Sequence, residues 1–161
     1  MVNLNSIKTV FVDFDDTLCV HLRSNTEELK HEDWIRDMVR GNKDWYLDSA
    51  RHVDVPAMRD YLKLCNSANI PVICVSWSTT SLAYNAKIKF LDKKYPGLVE
   101  RFVLVGSREA KLQLLDNWCK SMGFAKSEIL LIDDHPDTQY EVRAAGYNSC
   151  SPMTIVSLLS R

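Results

Sequence analysis

Residues 9–18 read TVFVDFDDTL, a stretch in which an apolar run ends in three carboxylates within four positions. The run at residues 10–12 is short, apolar and rich in β-branched side chains, which is typical of a strand buried on both faces. Asp13, Asp15 and Asp16 follow it directly. This stretch therefore predicts a central strand that presents clustered negative charge at its carboxyl end.

Three further apolar runs, at residues 71–75, 102–105 and 129–132, are also predicted to be buried strands, and a weaker fifth covers residues 148–150. Helical patterns lie between them, with apolar residues spaced to share one face of a helix. These patterns are Met58, Tyr61, Leu62 and Cys65 in one helix, and Leu112, Leu115, Trp118 and Cys119 in another. The alternation predicts an α/β fold with a mostly parallel sheet covered on both sides.

The 161 residues correspond to one domain of ordinary size, so we expect a single domain over residues 1–161. Its core is predicted at about residues 8–18 and 55–161, and a small polar insertion at about residues 19–54. Within the insertion, a helix is expected over residues 26–39, followed by GNKDWYLD at 41–48. Asp54 and Pro56 are expected to cap and begin a helix, and Gly123 and Gly146 to end two others.

The composition is that of a soluble globular protein, with 46% hydrophobic residues, 25% charged residues and a net charge of −1. It lacks the basic excess of a nucleic-acid binder, so charge does not imply a nucleic-acid partner. No window approaches the roughly 20 apolar residues of a membrane span, and we expect no membrane association. Five cysteines without a CxxC pair argue against a disulfide framework and a zinc site, and favour a reducing, cytoplasmic location.

The residues that follow the predicted strands indicate where a ligand binds, because ligands in open parallel sheets bind beyond the carboxyl ends of the strands. Polar residues occur after every one of the four main runs. They are Asp13, Asp15 and Asp16 after the first, Ser76 and Ser78 after the second, Gly106, Ser107 and Lys111 after the third, and Asp133, Asp134 and Asp137 after the fourth. We expect two acidic ends, one hydroxyl end and one cationic end to meet in one crevice.

Clustered carboxylates at low dielectric stay ionised only if a cation offsets them, and oxygen ligands favour a hard ion such as Mg²⁺. Magnesium keeps several waters and is usually shared with a substrate phosphate. A phosphate monoester is therefore the expected guest, and Ser76 and Lys111 are expected to hold its other oxygens.

In these motifs the sequence resembles the haloacid dehalogenase (HAD) superfamily, most of whose members are Mg²⁺-dependent phosphohydrolases. DFDDTL is similar to its D-x-D-x-T-[LV] signature, VICVS to its second motif, Lys111 to its third, and ILLIDDHPD to its fourth. The resemblance covers roughly residues 8–14 and 55–150. It implies a three-layer, Rossmann-like core with a parallel five-stranded sheet, in which the first and fourth predicted strands are adjacent at the centre. The insertion would be a short cap or flap, a layout similar to that of magnesium-dependent phosphatase 1.

The resemblance also implies a role for each matching residue. Asp13 would be the nucleophile that forms an aspartyl-phosphate, and Asp15 the acid and base that serves the leaving oxygen and then water. Lys111 would orient Asp13, and Ser76 would donate a hydrogen bond to the phosphoryl group. The metal would be held by Asp13, the main-chain carbonyl of Asp15, and Asp134.

Several assignments stay open. Asp133 stands where many members have Gly, so Asp133, Asp134 and Asp137 are alternative metal ligands, and Thr138 replaces a further family acid. Three other cations compete with Lys111, namely Lys87, Lys89 and Arg108. Trp77 is the best candidate for stacking on a substrate because it follows Ser76, whereas Trp34, Trp45 and Tyr46 are expected to pack. His135 and Asp16 are expected to shape turns.

The function predicted on this basis is Mg²⁺-dependent hydrolysis of a phosphate monoester through Asp13. A phosphotransferase or phosphomutase would use the same residues but normally needs a larger cap that excludes water. A non-catalytic, phosphate-binding regulatory domain would be expected to have lost one of the acids. The substrate classes left open are a phosphorylated small molecule, a nucleotide and a phosphorylated macromolecule.

Overall fold

A computed structural model describes residues 6–22, 44–48, 52–78 and 82–159 of the chain. The strands are β1 (Thr9–Val12), β2 (Cys19–His21), β3 (His52–Asp54), β4 (Val72–Trp77), β5 (Arg101–Val105), β6 (Ile129–Ile132) and β7 (Asn148–Cys150). The helices are α1 (Pro56–Ser67), α2 (Leu82–Lys94), α3 (Glu109–Met122), α4 (Pro136–Ala144) and α5 (Pro152–Leu159). Short 3-10 turns cover Trp45–Leu47 and Lys126–Glu128.

Five strands form one parallel sheet in the order β5-β4-β1-β6-β7. The register places Val12 opposite Cys74 of β4 and Ile132 of β6. Because Val12 and Ile132 are partners, the residues that follow them, Asp13 and Asp133, leave the sheet side by side. The predicted α/β class, the five parallel strands and the central pair of β1 and β6 are confirmed.

The sheet is covered on both faces, which gives the three layers expected of an α/β fold. Alternate side chains of β1 enter two separate cores, with Val10 and Val12 in one and Phe11 in the other. Helices α1, α2 and α5 supply residues to the first core, and α3 and α4 to the second. All four residues of β1 and of β6 are buried, which explains why residues 10–12 and 129–132 are continuous apolar runs.

The ends of the helices follow the expected chemistry in part. Gly123 ends α3 in the left-handed conformation, with a φ of 67°, as predicted for a C-cap glycine. Pro56 occupies the start of α1, where its missing N–H costs nothing. The prediction that Asp54 caps α1 was wrong. Asp54 belongs to β3, and its carboxylate pairs with Arg59. Val55 directly precedes the helix, and among the described residues no side chain caps it there.

Two further features differ from the sequence-based expectation. Strand β4 continues to Trp77, so Ser76 lies inside the strand and not after it. In the predicted insertion, Cys19–His21 and His52–Asp54 form a two-stranded antiparallel sheet that was not predicted. Three residues are too few to show a strand period, and both strands lie outside the strand–helix alternation from which the equally short β7 was predicted. The helix expected over residues 26–39 lies outside the described residues.

Tyr95 contacts the residues on either side of the predicted insertion. Its hydroxyl donates a hydrogen bond to the carbonyl of Leu18 at 2.7 Å and accepts one from the N–H of Val55 at 3.0 Å. Tyr46 is buried and packs edge-on against Phe14, with ring centroids 5.0 Å apart. In the ranges that the structure describes, no helix combines the length and the apolar character that crossing a membrane requires.

The two leucines of α1 give a direct test of which helix face is buried. Leu62 is fully buried and Leu64 is 56% exposed. We expect Leu62→Ala to lower the free energy of unfolding by about 2–5 kcal/mol, because it removes buried methyl groups and leaves a cavity. Leu64→Ala should change it by less than about 1 kcal/mol. Urea denaturation measures both variants, and equal losses would contradict this orientation of α1.

Candidate active site

A crevice opens at the carboxyl ends of β1, β4 and β6. The residues that line it are Asp13, Asp15, Asp16, Ser76, Trp77, Arg108, Lys111, Asp133, Asp134, His135 and Thr138. The structure therefore brings together the candidate nucleophile, acid, hydroxyl, cation and metal ligands that come from three strand ends and from α3. This convergence follows from the parallel sheet, whose carboxyl ends share one edge.

Lys111 bridges the ends of the two central strands. Its Nζ donates hydrogen bonds to Asp13 Oδ1 at 2.7 Å and to Asp133 Oδ2 at 2.8 Å, and all three side chains are buried. Burial opposes the charged form of Lys111, but the two carboxylates outweigh it and raise the pKa of the ammonium above its usual value. The lysine is therefore held as a cation between the two acids.

The pKa of Asp13 is higher than usual when no metal is bound. Burial raises its pKa from 3.8 to about 7, with Asp133 and Asp15 adding to the effect and Lys111 opposing it. The ammonium of Lys111 does not offset burial and the neighbouring carboxylates together. A further cation at this point would restore the ionised form of Asp13.

Three carboxylates are placed to hold that cation. Asp13, Asp133 and Asp134 each offer an oxygen, and these oxygens lie within 4.8 Å of one another. A set of hard oxygen donors fits Mg²⁺. Asp137 lies elsewhere: it is 72% exposed and reaches Arg108 at 3.8 Å. Thr138, at the position of the further family acid, is buried and lines the crevice.

The carboxylate of Asp15 is bound on a different side of the crevice. Its Oδ1 accepts hydrogen bonds from Tyr46 Oη at 3.1 Å and from His21 Nε2 at 3.2 Å. Its Oδ2 accepts from Lys87 Nζ and, at 3.4 Å, from Ser76 Oγ. Burial opposes the ionised form, but Lys87 and His21 outweigh it and hold the pKa of Asp15 below its usual range.

The three cations that competed with Lys111 have different positions. Lys89 is exposed and pairs with Asp44 at 2.8 Å, and Arg108 lies at the rim of the crevice. Lys87 is buried beside Asp15. This contact was not predicted from the sequence, and neither were the contacts of Tyr46 and His21 with the same carboxylate. A signal for Lys87 was present: it lies four residues after Ala83 and three before Phe90, on the apolar face of α2. A lysine on a buried face requires a buried partner.

The rim of the crevice carries an aromatic ring and a cation. Trp77 is 43% exposed, and its Nε1 donates to the carbonyl of Gly106 at 3.0 Å. Arg108 Nη2 lies 3.0 Å from His135 Nε2, and the main-chain N–H of His135 donates to Asp133 Oδ1 at 2.9 Å. His135 directly precedes Pro136, the first residue of α4, as its expected role in the turn requires. Trp45 and Tyr46 are buried, as expected for packing residues, and Trp34 lies outside the described residues.

Because the pKa of Asp13 is raised, we expect the difference in stability between wild type and Asp13→Asn to depend on pH when no metal is bound. Between the ordinary value of 3.8 and about 7, the folded state holds a proton on Asp13 that the unfolded state has released. The contribution of this group to the free energy of unfolding therefore falls as the pH rises through that range. We expect the stability of Asp13→Asn relative to wild type to increase by roughly 1–3 kcal/mol between about pH 5 and about pH 7.5.

The measurement is urea denaturation in EDTA at both pH values. The comparison between variants is needed because burial lowers the pKa of His52 to about 4, so His52 adds stability as the pH rises from about 4 to its ordinary 6.5. That contribution is common to both proteins and cancels. Asp60→Asn, at an exposed acid of α1, is the control. A pH-independent difference for Asp13→Asn would contradict the raised pKa.

The three clustered carboxylates Asp13, Asp133 and Asp134 give a second prediction, which can be tested without measuring enzyme activity. We expect about 10 mM Mg²⁺ to raise the melting temperature of wild type by about 2–4 °C, since a ligand at about ten times its Kd adds roughly 1 kcal/mol. Asp137→Asn should respond in the same way. Asp134→Asn should respond much less, because Asp134 is one of the three clustered carboxylates and Asp137 is not. Thermal unfolding by circular dichroism measures the three shifts, and a full shift in Asp134→Asn would exclude this residue as a ligand.

Comparisons with known proteins agree on the fold. No protein-family model and no curated protein matches the sequence. Among solved structures, the HAD-family enzyme BT-2542 of Bacteroides thetaiotaomicron, in complex with magnesium and inorganic phosphate, has a TM-score of 0.59 and 16% identity, covering 90% of this chain and 93% of that one. The haloacid dehalogenase-like protein SP0104 of Streptococcus pneumoniae has a TM-score of 0.56 and 16% identity, covering 90% and 84%.

A third match has a more specific name. The cobalt-bound deoxy-D-mannose-octulosonate 8-phosphate phosphatase of Haemophilus influenzae has a TM-score of 0.52 and 16% identity, covering 92% of this chain and 70% of that one. Identities this low establish a common architecture and not a common substrate. The chain therefore has the fold of these haloacid dehalogenase-family enzymes.

Proposed function

We propose that this chain is a phosphohydrolase of the HAD superfamily, which hydrolyses a phosphate monoester with the help of Mg²⁺. The observation that carries the proposal is the position of Asp13 at the end of the central strand. Lys111 Nζ lies 2.7 Å from Asp13 Oδ1. Asp13, Asp133 and Asp134 form a cluster in which one oxygen of each carboxylate lies within 4.8 Å of the others. A nucleophile, a fixed cation and a set of oxygen ligands for a second cation thus meet in an open crevice.

In the first step, a carboxylate oxygen of Asp13 attacks phosphorus, the bond between phosphorus and the ester oxygen breaks, and an aspartyl-phosphate forms. Asp15 is ionised in the absence of substrate, so it must take up a proton when the negatively charged phosphate binds beside it and raises its pKa. It then gives that proton to the departing oxygen. Lys111 orients Asp13 and offsets phosphate charge, because its ammonium lies between two acids that are themselves fixed to the sheet. Ser76, which lines the crevice, donates a hydrogen bond to the phosphoryl group.

In the second step, water attacks the aspartyl-phosphate and Asp15 accepts the proton of that water, which releases phosphate and restores Asp13. Bound Mg²⁺ would supply charge stabilisation to the phosphoryl oxygens, with Asp13, Asp133, Asp134 and the main-chain carbonyl of Asp15 as its ligands. Asp13 must be ionised to attack, and its raised pKa in the metal-free site gives a physical reason for dependence on the metal.

We infer that the substrate is a phosphorylated small molecule. The exposed ring of Trp77 directly follows Ser76 and would pack against the part of the substrate that leaves, and Arg108 would meet a polar or anionic group on it. The Haemophilus influenzae neighbour is named as a phosphatase of a sugar-acid phosphate, which is one compound of this class. All five cysteines are free and buried, which supports a reducing compartment such as the cytoplasm.

The test is hydrolysis of p-nitrophenyl phosphate by wild type and two variants, with Mg²⁺ or EDTA. We expect EDTA to abolish turnover and Asp13→Asn to lower it by several orders of magnitude, because an amide cannot form the acyl phosphate. Asp60→Asn, at an exposed acid of α1, should keep the wild-type rate. Circular dichroism shows whether the variants are folded.

Two outcomes would contradict the proposal at different points. Full turnover in EDTA would remove the metal from the mechanism. A folded Asp13→Asn that keeps most of its rate would mean that water attacks phosphorus directly. A panel of sugar phosphates, nucleotides and a phosphopeptide, assayed with wild type, then selects among the substrate classes.

A further inference from the structure

A lysine in the middle of α2 is completely withdrawn from solvent. Lys87 has 0% exposure and lies on the helix face that also carries Ala83, Ala86 and Phe90. Removing an ammonium from water costs several kcal/mol unless charged and polar partners replace the water. The position of Lys87 therefore depends on the groups that surround its Nζ.

Those groups belong to the candidate active site. Nζ donates to Asp15 Oδ2 and, at 2.7 Å, to Ser76 Oγ. It also lies 5.0 Å from the ring centre of Phe14 and 5.6 Å from that of Tyr46, within the range of cation–π attraction. One buried ammonium thus contacts the proposed acid and the proposed phosphate-binding hydroxyl together.

The ammonium itself does not line the crevice, whereas Asp15 and Ser76 do. It cannot act on a substrate except through these two residues. Asp15 has two rotatable side-chain bonds, and its carboxyl must be in reach of the leaving oxygen for proton transfer. Lys87 and Ser76 hold one carboxylate oxygen, while Tyr46 and His21 hold the other, so the group is fixed from both sides.

We propose that Lys87 is a positioning residue of the phosphatase reaction, whose buried ammonium fixes the carboxyl group of Asp15 and the hydroxyl group of Ser76 toward the crevice. The inference rests on the proposed function. A purely structural lysine would lower the rates on all substrates equally. The charge of Lys87 lowers the pKa of Asp15, so a lysine that acted through charge alone would slow esters whose leaving oxygen needs a proton, and its removal would speed them up. A lysine that positions the acid has the opposite effect, because its removal slows these esters most.

The experiment compares two phosphate esters. The leaving group of p-nitrophenyl phosphate departs without protonation, whereas the alkoxide of glycerol 2-phosphate requires an acid. We expect Lys87→Met, which replaces the side chain by an apolar one of similar length, to lower kcat/KM for glycerol 2-phosphate by about 100-fold or more. The loss on p-nitrophenyl phosphate should be at least about tenfold smaller. This ester needs no acid, so only the loss of the contact between Lys87 and Ser76 affects its rate.

Two further variants test whether the effect of Lys87→Met on the two rates is transmitted through Asp15. Lys89→Met is the matched control, because Lys89 lies two residues away on the same helix, is exposed and pairs with Asp44. Its ratio of rates on the two esters should equal that of wild type. Asp15→Asn sets the ratio expected when the acid is lost. Adding Lys87→Met to it should leave the ratio unchanged, since two residues that act through one group are not additive.

Each result decides the proposal. An unchanged ratio in Lys87→Met, or a further change in the double variant, overturns the positioning role while an active wild type keeps the proposed function. A wild type that hydrolyses neither ester in Mg²⁺ overturns the proposed function, and the role of Lys87 falls with it. If circular dichroism shows that Lys87→Met is unfolded, Lys87→Gln, which keeps a donor group, carries the same comparison under the same criteria.

Discussion

Repulsion between carboxylates at the end of the central strand is the constraint on which this structure depends. Adjacent parallel strands place Asp13 beside Asp133, and Asp15 follows within two residues. The two buried lysines answer this repulsion from opposite sides, Lys111 from α3 between Asp13 and Asp133, and Lys87 from α2 at Asp15. One helix from each of the two opposite layers thus contributes a cation to the same edge of the sheet, so the packing of both layers determines the electrostatics of the crevice.

The fold was largely predictable because its decisive elements have strong local signals. Residues 10–12 and 129–132 are continuous apolar runs, and the structure buries every residue of β1 and β6. Gly123 was recognisable as the end of α3 because a left-handed residue favours glycine. Strands β2 and β3 were missed since each has three residues and lies outside the strand–helix alternation. The end of β4 was misplaced because Ser76 is polar but lies within the strand.

The candidate site was predictable in composition more than in geometry. Residues at the ends of parallel strands converge for topological reasons, so Asp13, Ser76, Lys111 and Asp134 could be grouped from the sequence alone. The partners of Asp15 could not be inferred in this way. His21 and Tyr46 lie in two different parts of the predicted insertion, and Lys87 lies in a helix that follows β4. Only the packing of these three segments brings them to one carboxylate.

The register of β1 has a consequence for how the chain acquires its structure. Thr9 pairs with Ile129, 120 positions later, while Val10 on the other edge pairs with Val72. During synthesis, β1 can gain its first neighbour early, but its second edge stays unpaired until β6 has emerged. An exposed strand edge is a template for wrong pairing, and contacts between distant residues form slowly. Nascent chains that stop before β6 should therefore be the species most in need of chaperones.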